Sequence, residues 1–285
     1  MEHYSPLRYP GGKGKIADYF KQIIKKNSLY DGIYVEPYAG GAAVALSLLF
    51  NEYVSKIIIN DIDKSIYAFW HSIINRTNDF CKLIEITPIT INEWKKQKKV
   101  QSNKEKEILL KLGFSTFFLN RTNRSGIINA GVIGGLYQTG KWKIDARYNK
   151  QDLINRIKKI SLYKDRIIIY NKDATKLIRT LRKSLHSSKV IFYFDPPYYI
   201  KGKDLYLNYY ENRDHNEIST EIKKIENKKW IITYDNVNYI RELYKNYRKR
   251  KFSINYSAGK NNRGEEIMIF SDNLKLVNIP LTMST

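Results

Sequence analysis

Cysteine is almost absent from this sequence, since Cys81 is the single thiol among 285 residues. One thiol excludes an intramolecular disulfide framework, and Cys81 has no His and Cys neighbours typical of a zinc site. We therefore expect no metal and a buried, hydrophobic Cys81. The sequence also lacks an apolar stretch of the roughly 20 residues that span a bilayer, and a signal-peptide pattern. These absences predict a cytoplasmic protein without a membrane contact.

Acidic residues are also scarce. Asp and Glu number 28 against 50 Lys and Arg, which gives a formal net charge of +22. So many excess positive charges repel one another in a compact protein, and such an excess is typical of chains that bind a polyanion. The alternative explanation of the charge is an A+T-rich coding bias, which favours Lys, Asn, Ile and Tyr. Such a bias does not require so many Lys residues, because neutral Asn could replace much of the Lys. The charge therefore predicts a nucleic-acid partner.

Short apolar runs rich in β-branched residues alternate with helix-like stretches, such as AAVALSLLF at residues 42–50. The runs predicted to be strands are residues 33–36, 56–60, 166–170, 190–194 and 230–233. This alternation predicts an open, doubly wound, mostly parallel α/β sheet of the Rossmann type, with ligands at the carboxyl ends of the strands.

The alternation stops between about residues 80 and 164, a basic stretch that ends in the glycine-dense NRTNRSGIINAGVIGGLYQTGKWK. No strand–helix unit fits this stretch. We therefore predict an inserted subdomain over residues 80–164, helical first and then loop-rich, which divides the sheet domain into residues 1–79 and 165–285.

The predicted strand 190–194 leads into Asp195-Pro196-Pro197-Tyr198. This order suits methyl transfer to the exocyclic amine of a planar base, because Asp195 and the Pro196 carbonyl can accept the two N–H protons of the amine. Neither proline has an N–H that competes for these acceptors. Tyr198 offers a ring on which an extruded base can stack. The alternative is a bend in which the acid only caps a turn.

Other acids follow the first three predicted strands. Glu36 precedes a turn that contains Gly40, where a ligand can approach the backbone and a helix N-terminus. Asp61 ends the second strand, where an acid commonly binds ribose hydroxyls. Asp173 follows the third strand and is placed to face an adenine amino group. Helix capping is the alternative for Asp61, Asp63 and Asp173.

The N-terminal PLRYPGGKGK contains glycine and lysine but does not match a phosphate-binding P-loop. No strand precedes it, and Gly14-Lys15 is followed by Ile16 rather than Ser or Thr. A nucleoside triphosphatase is therefore disfavoured. We expect a loop that folds over a ligand, with Tyr9 packed against it and Lys13 on a carboxylate or phosphate.

Together these motifs resemble the Dam-like, D12-class family of DNA adenine-N6 methyltransferases. The motifs that occur in the family's order are RYPGGK, VEPYAGG, NDID, FFLNRT, DPPYY, RDHNEI, TYDNVNYIRELY and RGEEIMIF. The resemblance implies S-adenosylmethionine as the cofactor and an adenine flipped from double-stranded DNA as the target. Tyr9, Lys13 and Asp61 match cofactor-contacting positions, Asp195 the position shared by cofactor and target amine, and Tyr198 the stacking ring. We expect Glu36, Gly40 and Asp173 to line the same cofactor site.

The resemblance also implies that the inserted subdomain reads the DNA. Members directed at GATC usually carry Asn-Gly-Leu-x-Arg, whereas this chain has Ser125-Gly126-Ile127 and then Asn129 in place of the Arg. Arg pairs with guanine and Asn more often with adenine, so we expect a recognition site other than GATC. The candidate DNA contacts are Asn120, Arg121, Arg124, Gln138 and Lys141, through either bases or phosphates.

Three other functions are weighed against adenine-N6 methylation. Methylation of cytosine N4 or of RNA is one, although cytosine-N4 enzymes more often carry Ser where this chain has Asp195. A catalytically inactive DNA-binding protein is another, although the motifs Asp-Pro-Pro-Tyr and Pro-Gly-Gly-Lys are both intact. Cytosine-C5 chemistry needs a nucleophilic thiol, and Cys81 lies far from the motifs. The enzyme is expected to stand alone or to accompany a separately acting restriction endonuclease.

Overall fold

The computed structural model describes residues 3–8, 16–199, 210–255 and 263–277. The chain divides into two compact units, one of residues 1–12 and 62–171 and one of residues 13–61 and 172–285. The inserted subdomain predicted at residues 80–164 lies wholly within the first unit.

The described strands alternate with helices along most of the chain. The strands are β1 (Gly32–Glu36), β2 (Val54–Asn60), β3 (Ile167–Tyr170), β4 (Val190–Phe194), β5 (Lys229–Asp235), β6 (Arg248–Asn255) and β7 (Arg263–Phe270). The helices are α1 (Ala17–Lys26), α2 (Ala43–Phe50), α3 (Lys64–Asn75), α4 (Thr77–Ile86), α5 (Ile91–Ser102), α6 (Leu109–Thr122), α7 (Lys150–Ser161), α8 (Ala174–Ser184), α9 (Asn212–Lys223) and α10 (Asn238–Leu243).

Six of these strands lie in the second unit, in the order β2-β1-β4-β5-β7-β6. Strand β1 is parallel to β2 and β4, and β4 is parallel to β5. Strand β7 is antiparallel to both β5 and β6. The predicted α/β class and mostly parallel sheet are confirmed. The carboxyl ends of β1, β2, β4 and β5 meet at one edge, which is where the chemistry of such a sheet is found.

The five predicted strands are confirmed within two residues at each end. Strands β6 and β7 are additional. Strand β6 begins with four consecutive basic residues, 248–251, and therefore shows no apolar run. It lies at the edge of the sheet, where Lys and Arg discourage pairing with another chain. Because an edge strand is exposed and can be polar, β6 could not be recognised from a run of apolar residues.

The first unit has an aromatic core between α3 and α6. Gly113 on α6 faces α3 so closely that an added Cβ would lie 2.4 Å from the Ala68 carbonyl oxygen. This contact brings the two helices together, and Phe69 then stacks on Phe117 with ring centroids 6.2 Å apart. Phe80 of α4 packs edge-on against Phe117. Helices α4–α6 are followed by irregular residues 127–149, so the predicted order of helices and then loops is confirmed.

Two expected absences can be examined in the part of the chain that the structure describes. No helix there is long and apolar enough to cross a membrane. The same residues contain no cluster of His, Cys, Asp and Glu side chains that could hold a metal ion. Cys81 is a free, buried thiol, and burial raises its pKa.

Candidate active site

Asp195 lies directly after β4, whose five residues are all buried. The register pairs Phe194 with Ile232, so Asp195 lies beside Thr233 of β5. The Thr233 hydroxyl donates to Asp195 Oδ1 at 2.6 Å, and the Tyr193 hydroxyl lies 2.9 Å from Thr233 Oγ1. Burial raises the pKa of Tyr193 well above its usual value, so its hydroxyl stays protonated. Two neighbouring strands therefore orient one carboxylate through buried hydroxyls.

The residues after Asp195 form a tightly held turn. Pro196 is buried, Pro197 is half-buried and Tyr198 is 5% exposed. The Tyr199 N–H donates to Asp235 Oδ1 at 3.0 Å, which ties the turn to the end of β5. A base can stack on Tyr198 only if substrate binding uncovers the ring.

Glu36 ends β1 and is 4% exposed. Its Oε2 atom is buried without a hydrogen-bond partner. Burial raises its pKa well above the usual value, and the charge of Asp195 raises it further, whereas a hydrogen bond from the Ala45 N–H has the opposite effect. Because β1 and β4 are parallel neighbours, both acids lie at the same edge of the sheet. The site therefore holds a buried carboxyl group close to Asp195, one oxygen of which, Oε2, has no hydrogen-bond partner.

A turn after β1 joins this site to the end of β2. The Gly40 N–H donates to Asp61 Oδ2 at 3.1 Å, and the Ala39 N–H donates to the Asn60 carbonyl at 2.8 Å. Gly40 and Ala42 both have φ of 46°, a left-handed conformation that is costly for alanine. The turn brings the Gly40 backbone to Asp61 and then leads into α2, which agrees with the predicted glycine turn between a strand and a helix.

The remaining acids of the sheet edge serve as helix caps. Asp63 accepts the Ser65 N–H at 2.9 Å as the N-cap of α3, which confirms the capping alternative for this residue. Asp173 is the N-cap of α8, where its Oδ1 accepts the Lys176 N–H and the Thr175 hydroxyl. A contact from Asp173 to an adenine amino group stays a prediction. Tyr9 and Lys13 lie outside the described residues.

The candidate DNA contacts lie in the first unit, and two of them are occupied by the protein itself. Asn120 is 1% exposed, and its side chain bonds the Arg8 backbone N–H and carbonyl and the Gly126 carbonyl. Gln138 donates to the carbonyls of Ile133 and Gly135 and accepts the Ile144 N–H. In this structure both amides hold loops together, which is a structural role that their sequence positions did not indicate.

The other three candidates differ in exposure. Arg124 and Lys141 are exposed, and the Lys141 ammonium lies 5.8 Å from the centre of the Trp142 ring. Exposed Tyr137 and Trp142 lie on the same basic loop. Arg121 is buried. The exposed pair is therefore free to meet DNA directly, while Arg121 is set below the surface.

Sequence reasoning missed several polar residues that support the site. Thr233 and Asp235 belong to the motif TYDN, but only the pairing of β4 with β5 reveals that they hold the Asp195 turn. His215, from the motif RDHNEI, has Nδ1 2.9 Å from the buried Tyr234 hydroxyl. Burial lowers the pKa of His215 to about 4, so it is neutral at neutral pH. The motifs TYDN and RDHNEI were visible in the sequence. The residues that their side chains bond could not be identified from it, because those residues are distant along the chain.

The fold and these acids define an α/β enzyme that binds its ligand at the carboxyl ends of a mostly parallel sheet. Residues 9–260 match the family of D12 class N6 adenine-specific DNA methyltransferases, and the chain belongs to that family. It is an enzyme that transfers a methyl group from S-adenosylmethionine to adenine N6 in DNA.

Two individual proteins illustrate the similarity. The Type II methyltransferase M.MjaIII of Methanocaldococcus jannaschii is 25% identical, with 88% of this chain and 91% of that protein covered. The solved structure of the rRNA methyltransferase aviRa from Streptomyces viridochromogenes superimposes with a TM-score of 0.38 at 11% identity, covering 94% of this chain and 88% of that one.

The described residues fit S-adenosylmethionine. The cofactor carries a sulfonium and an ammonium group, and the site offers Glu36 Oε2, a buried acceptor without a partner. Asp195 raises the pKa of Glu36 because two acids lie close together, and a cationic ligand relieves that repulsion. The Gly40 turn leaves Asp61 at the end of β2, where a ribose is expected. The donor set therefore suits this cofactor.

Replacing Thr233 by valine tests whether the hydroxyl chain positions Asp195. We expect kcat to fall about tenfold or more, the worth of a hydrogen bond to a charged group, while KM for DNA stays unchanged. Thr233→Ser should restore most of the rate because it keeps the hydroxyl. Steady-state kinetics of both variants checks this, and equal rates for Val and wild type would contradict it.

Proposed function

We propose that Asp195 and the main-chain carbonyl of Pro196 accept hydrogen bonds from the two N6–H groups of a flipped adenine. The observation that carries this proposal is the orientation of Asp195 by the Thr233 hydroxyl at the end of β4. Pro196 and Pro197 carry no backbone N–H that could compete for the same acceptors, and the Tyr199 N–H is directed to Asp235. The turn is further held by Asp235, so the acceptors are fixed before substrate arrives.

Adenine N6 is a poor nucleophile because its lone pair is delocalised into the ring. Acceptors for both N–H groups favour a pyramidal nitrogen and stabilise the positive charge that develops on it. Bound S-adenosylmethionine would supply the methyl group: the S–CH3 bond of its sulfonium would break as the N6–CH3 bond forms, the sulfur would leave as a neutral thioether, and N6 would lose one proton to solvent. By holding the amine beside that methyl group the protein would lower the barrier further. No covalent bond to the enzyme is required.

In the same proposal, Glu36 binds the ammonium of the cofactor and Asp61 its ribose. The support for Glu36 is its buried, partnerless Oε2 atom, and the support for Asp61 is its bond to the Gly40 turn. Tyr9 and Lys13 complete the predicted cofactor contacts, and Asp173 is a further candidate. These assignments rest on the chemistry of the side chains and on the family resemblance.

Tyr198→Ala should weaken capture of the flipped base by about 1–3 kcal/mol, the usual worth of a base–aromatic stack. Tyr198→Phe should have a mild effect because it keeps the ring. Fluorescence of 2-aminopurine at the target position measures the flipped population. If Phe proves as damaging as Ala, the hydroxyl rather than the ring is what the base needs.

The enzyme is further proposed to be the modification half of a restriction system, with a separately acting endonuclease as its partner. The support is its similarity to M.MjaIII, a Type II methyltransferase. A DNA substrate is also consistent with the predicted cytoplasmic location.

Long-read sequencing of cells that express the protein tests site-specific methylation and the restriction role together. We expect N6-methyladenine at one motif in nearly all copies, and protection of that motif from a nuclease of the same specificity. Scattered methylation without a motif would contradict site specificity. Efficient methylation of GATC would instead overturn the expectation drawn from Ser125-Gly126-Ile127 and Asn129.

A further inference from the structure

Arg121 is a buried arginine without a hydrogen-bonded partner at its Nε atom. It lies in the last turn of α6 and is 8% exposed. Nε is inaccessible and has no acceptor within the described structure. A buried donor left unsatisfied is costly, and a charged one more so. A side chain of this kind is expected to meet an acceptor that the protein itself does not supply.

A second unsatisfied donor lies on the same face of α6. The Tyr148 ring packs against Phe117 and Phe118, at 5.4 and 5.6 Å between ring centres. These two phenylalanines precede Arg121 by four and three residues, so they share its helix face. Tyr148 is 5% exposed, and its hydroxyl is buried without a partner. Arg121 and Tyr148 therefore present two unsatisfied donors together.

The charges around this pair are mostly positive. The pKa of Arg121 is lowered to about 9, first by burial and then by the charges of Arg156 and Arg8, whereas Asp152 and Tyr148 act in the opposite direction. Asp152 is already engaged, because its Oδ2 lies 2.8 Å from an Arg156 nitrogen. Arg8 donates to the Asn123 carbonyl and is held beside α6 by Asn120. Several guanidinium groups thus share one neighbourhood with two acids, Asp152 and Glu93, and Glu93 already accepts a hydrogen bond from the Gln97 amide.

We infer that Arg121 and Tyr148 form a site for a phosphate of the DNA backbone, which DNA binding must open because both donors are inaccessible in the free protein. Arg8 and Arg156 supply additional positive potential. A phosphate satisfies both donors and also carries the full negative charge that offsets the repulsion between guanidinium groups. A guanine edge offers neutral acceptors and leaves that repulsion in place. The inference rests on the proposed action on DNA and assigns Arg121 to backbone contact rather than base reading.

Arg121→Met separates this role from a structural one. Removal of an unpaired buried charge should leave the melting temperature of the free protein unchanged or raise it. Affinity for duplex DNA should fall about tenfold or more, and the salt dependence should become shallower by about 0.9 units, the contribution of one phosphate. Arg76→Met is the matched control, since it removes one exposed charge from the same unit. A lower melting temperature with wild-type DNA affinity would overturn the inference.

Tyr148→Phe tests the second donor without removing a charge from the fold. Its hydroxyl bonds nothing in the described structure, so stability should hold while duplex affinity falls several-fold. Inorganic phosphate should raise the melting temperature of the wild type more than that of either variant. Equal phosphate stabilisation and equal DNA affinity in all three proteins would overturn the phosphate site. These measurements omit S-adenosylmethionine, so a failure of methyl transfer alone would count against the proposed function and not against the phosphate site.

Discussion

Asp195→Ala is expected to lower the rate of methyl transfer by about 100-fold or more, because it removes an acceptor that stabilises charge growing on N6. Duplex DNA affinity should remain within about twofold, since Asp195 carries no positive charge for phosphates. Single-turnover rates with saturating cofactor, measured beside a DNA-binding titration, check both expectations.

A matched control is Asp18→Ala, which removes an exposed acid of α1 whose ion pair among the described residues is with Lys21. This variant should methylate at the wild-type rate. Near-normal turnover in Asp195→Ala would contradict the proposed mechanism, and loss of activity in both variants would point to a general effect of net charge.

Glu36→Gln is expected to stabilise the free protein by about 1–3 kcal/mol, because it removes a buried carboxyl whose Oε2 atom lacks a partner and whose charge Asp195 repels. The same change should weaken S-adenosylmethionine binding at least about tenfold, because a neutral amide cannot neutralise the cofactor's ammonium. Thermal unfolding and isothermal titration calorimetry measure the two effects. A loss of both stability and cofactor affinity would show that Glu36 only supports the fold.

The pH dependence sharpens this test. Since the folded-state pKa of Glu36 is raised, its protonation favours the folded protein fully below the usual Glu pKa of about 4.3. That contribution is lost as pH rises through the raised pKa. The melting temperature of wild type should therefore fall relative to Glu36→Gln across this window. Parallel curves for the two proteins would contradict a raised pKa at Glu36.

Much of the fold was predictable because buried parallel strands leave a local signal. Residues 190–194 are apolar throughout and form β4 as expected. The acids at the strand ends were also found, since Glu36 and Asp61 follow such runs directly. Strand β6 gave no such signal because its basic residues suit an exposed edge.

The support of the site was harder to predict because it depends on pairing between distant segments. Nothing near Thr233 in the sequence indicates that it bonds Asp195, which is 38 residues away. Asn120 and Gln138 were DNA-contact candidates because their segment resembles the DNA-reading part of the family. Their amides bond the protein backbone here, which the sequence did not indicate, and a DNA contact stays a prediction. The burial of Arg121 likewise emerges only from the packing around α6.

The central claim is that this site methylates N6 of adenine in duplex DNA. Purified protein, S-adenosylmethionine and a duplex that contains the mapped motif provide the direct measurement, with the nucleosides digested and separated by mass spectrometry. The account predicts N6-methyldeoxyadenosine with wild type and none with Asp195→Ala. N4-methyldeoxycytidine in the duplex, or methylation of an RNA of the same sequence but not of the DNA, would contradict it.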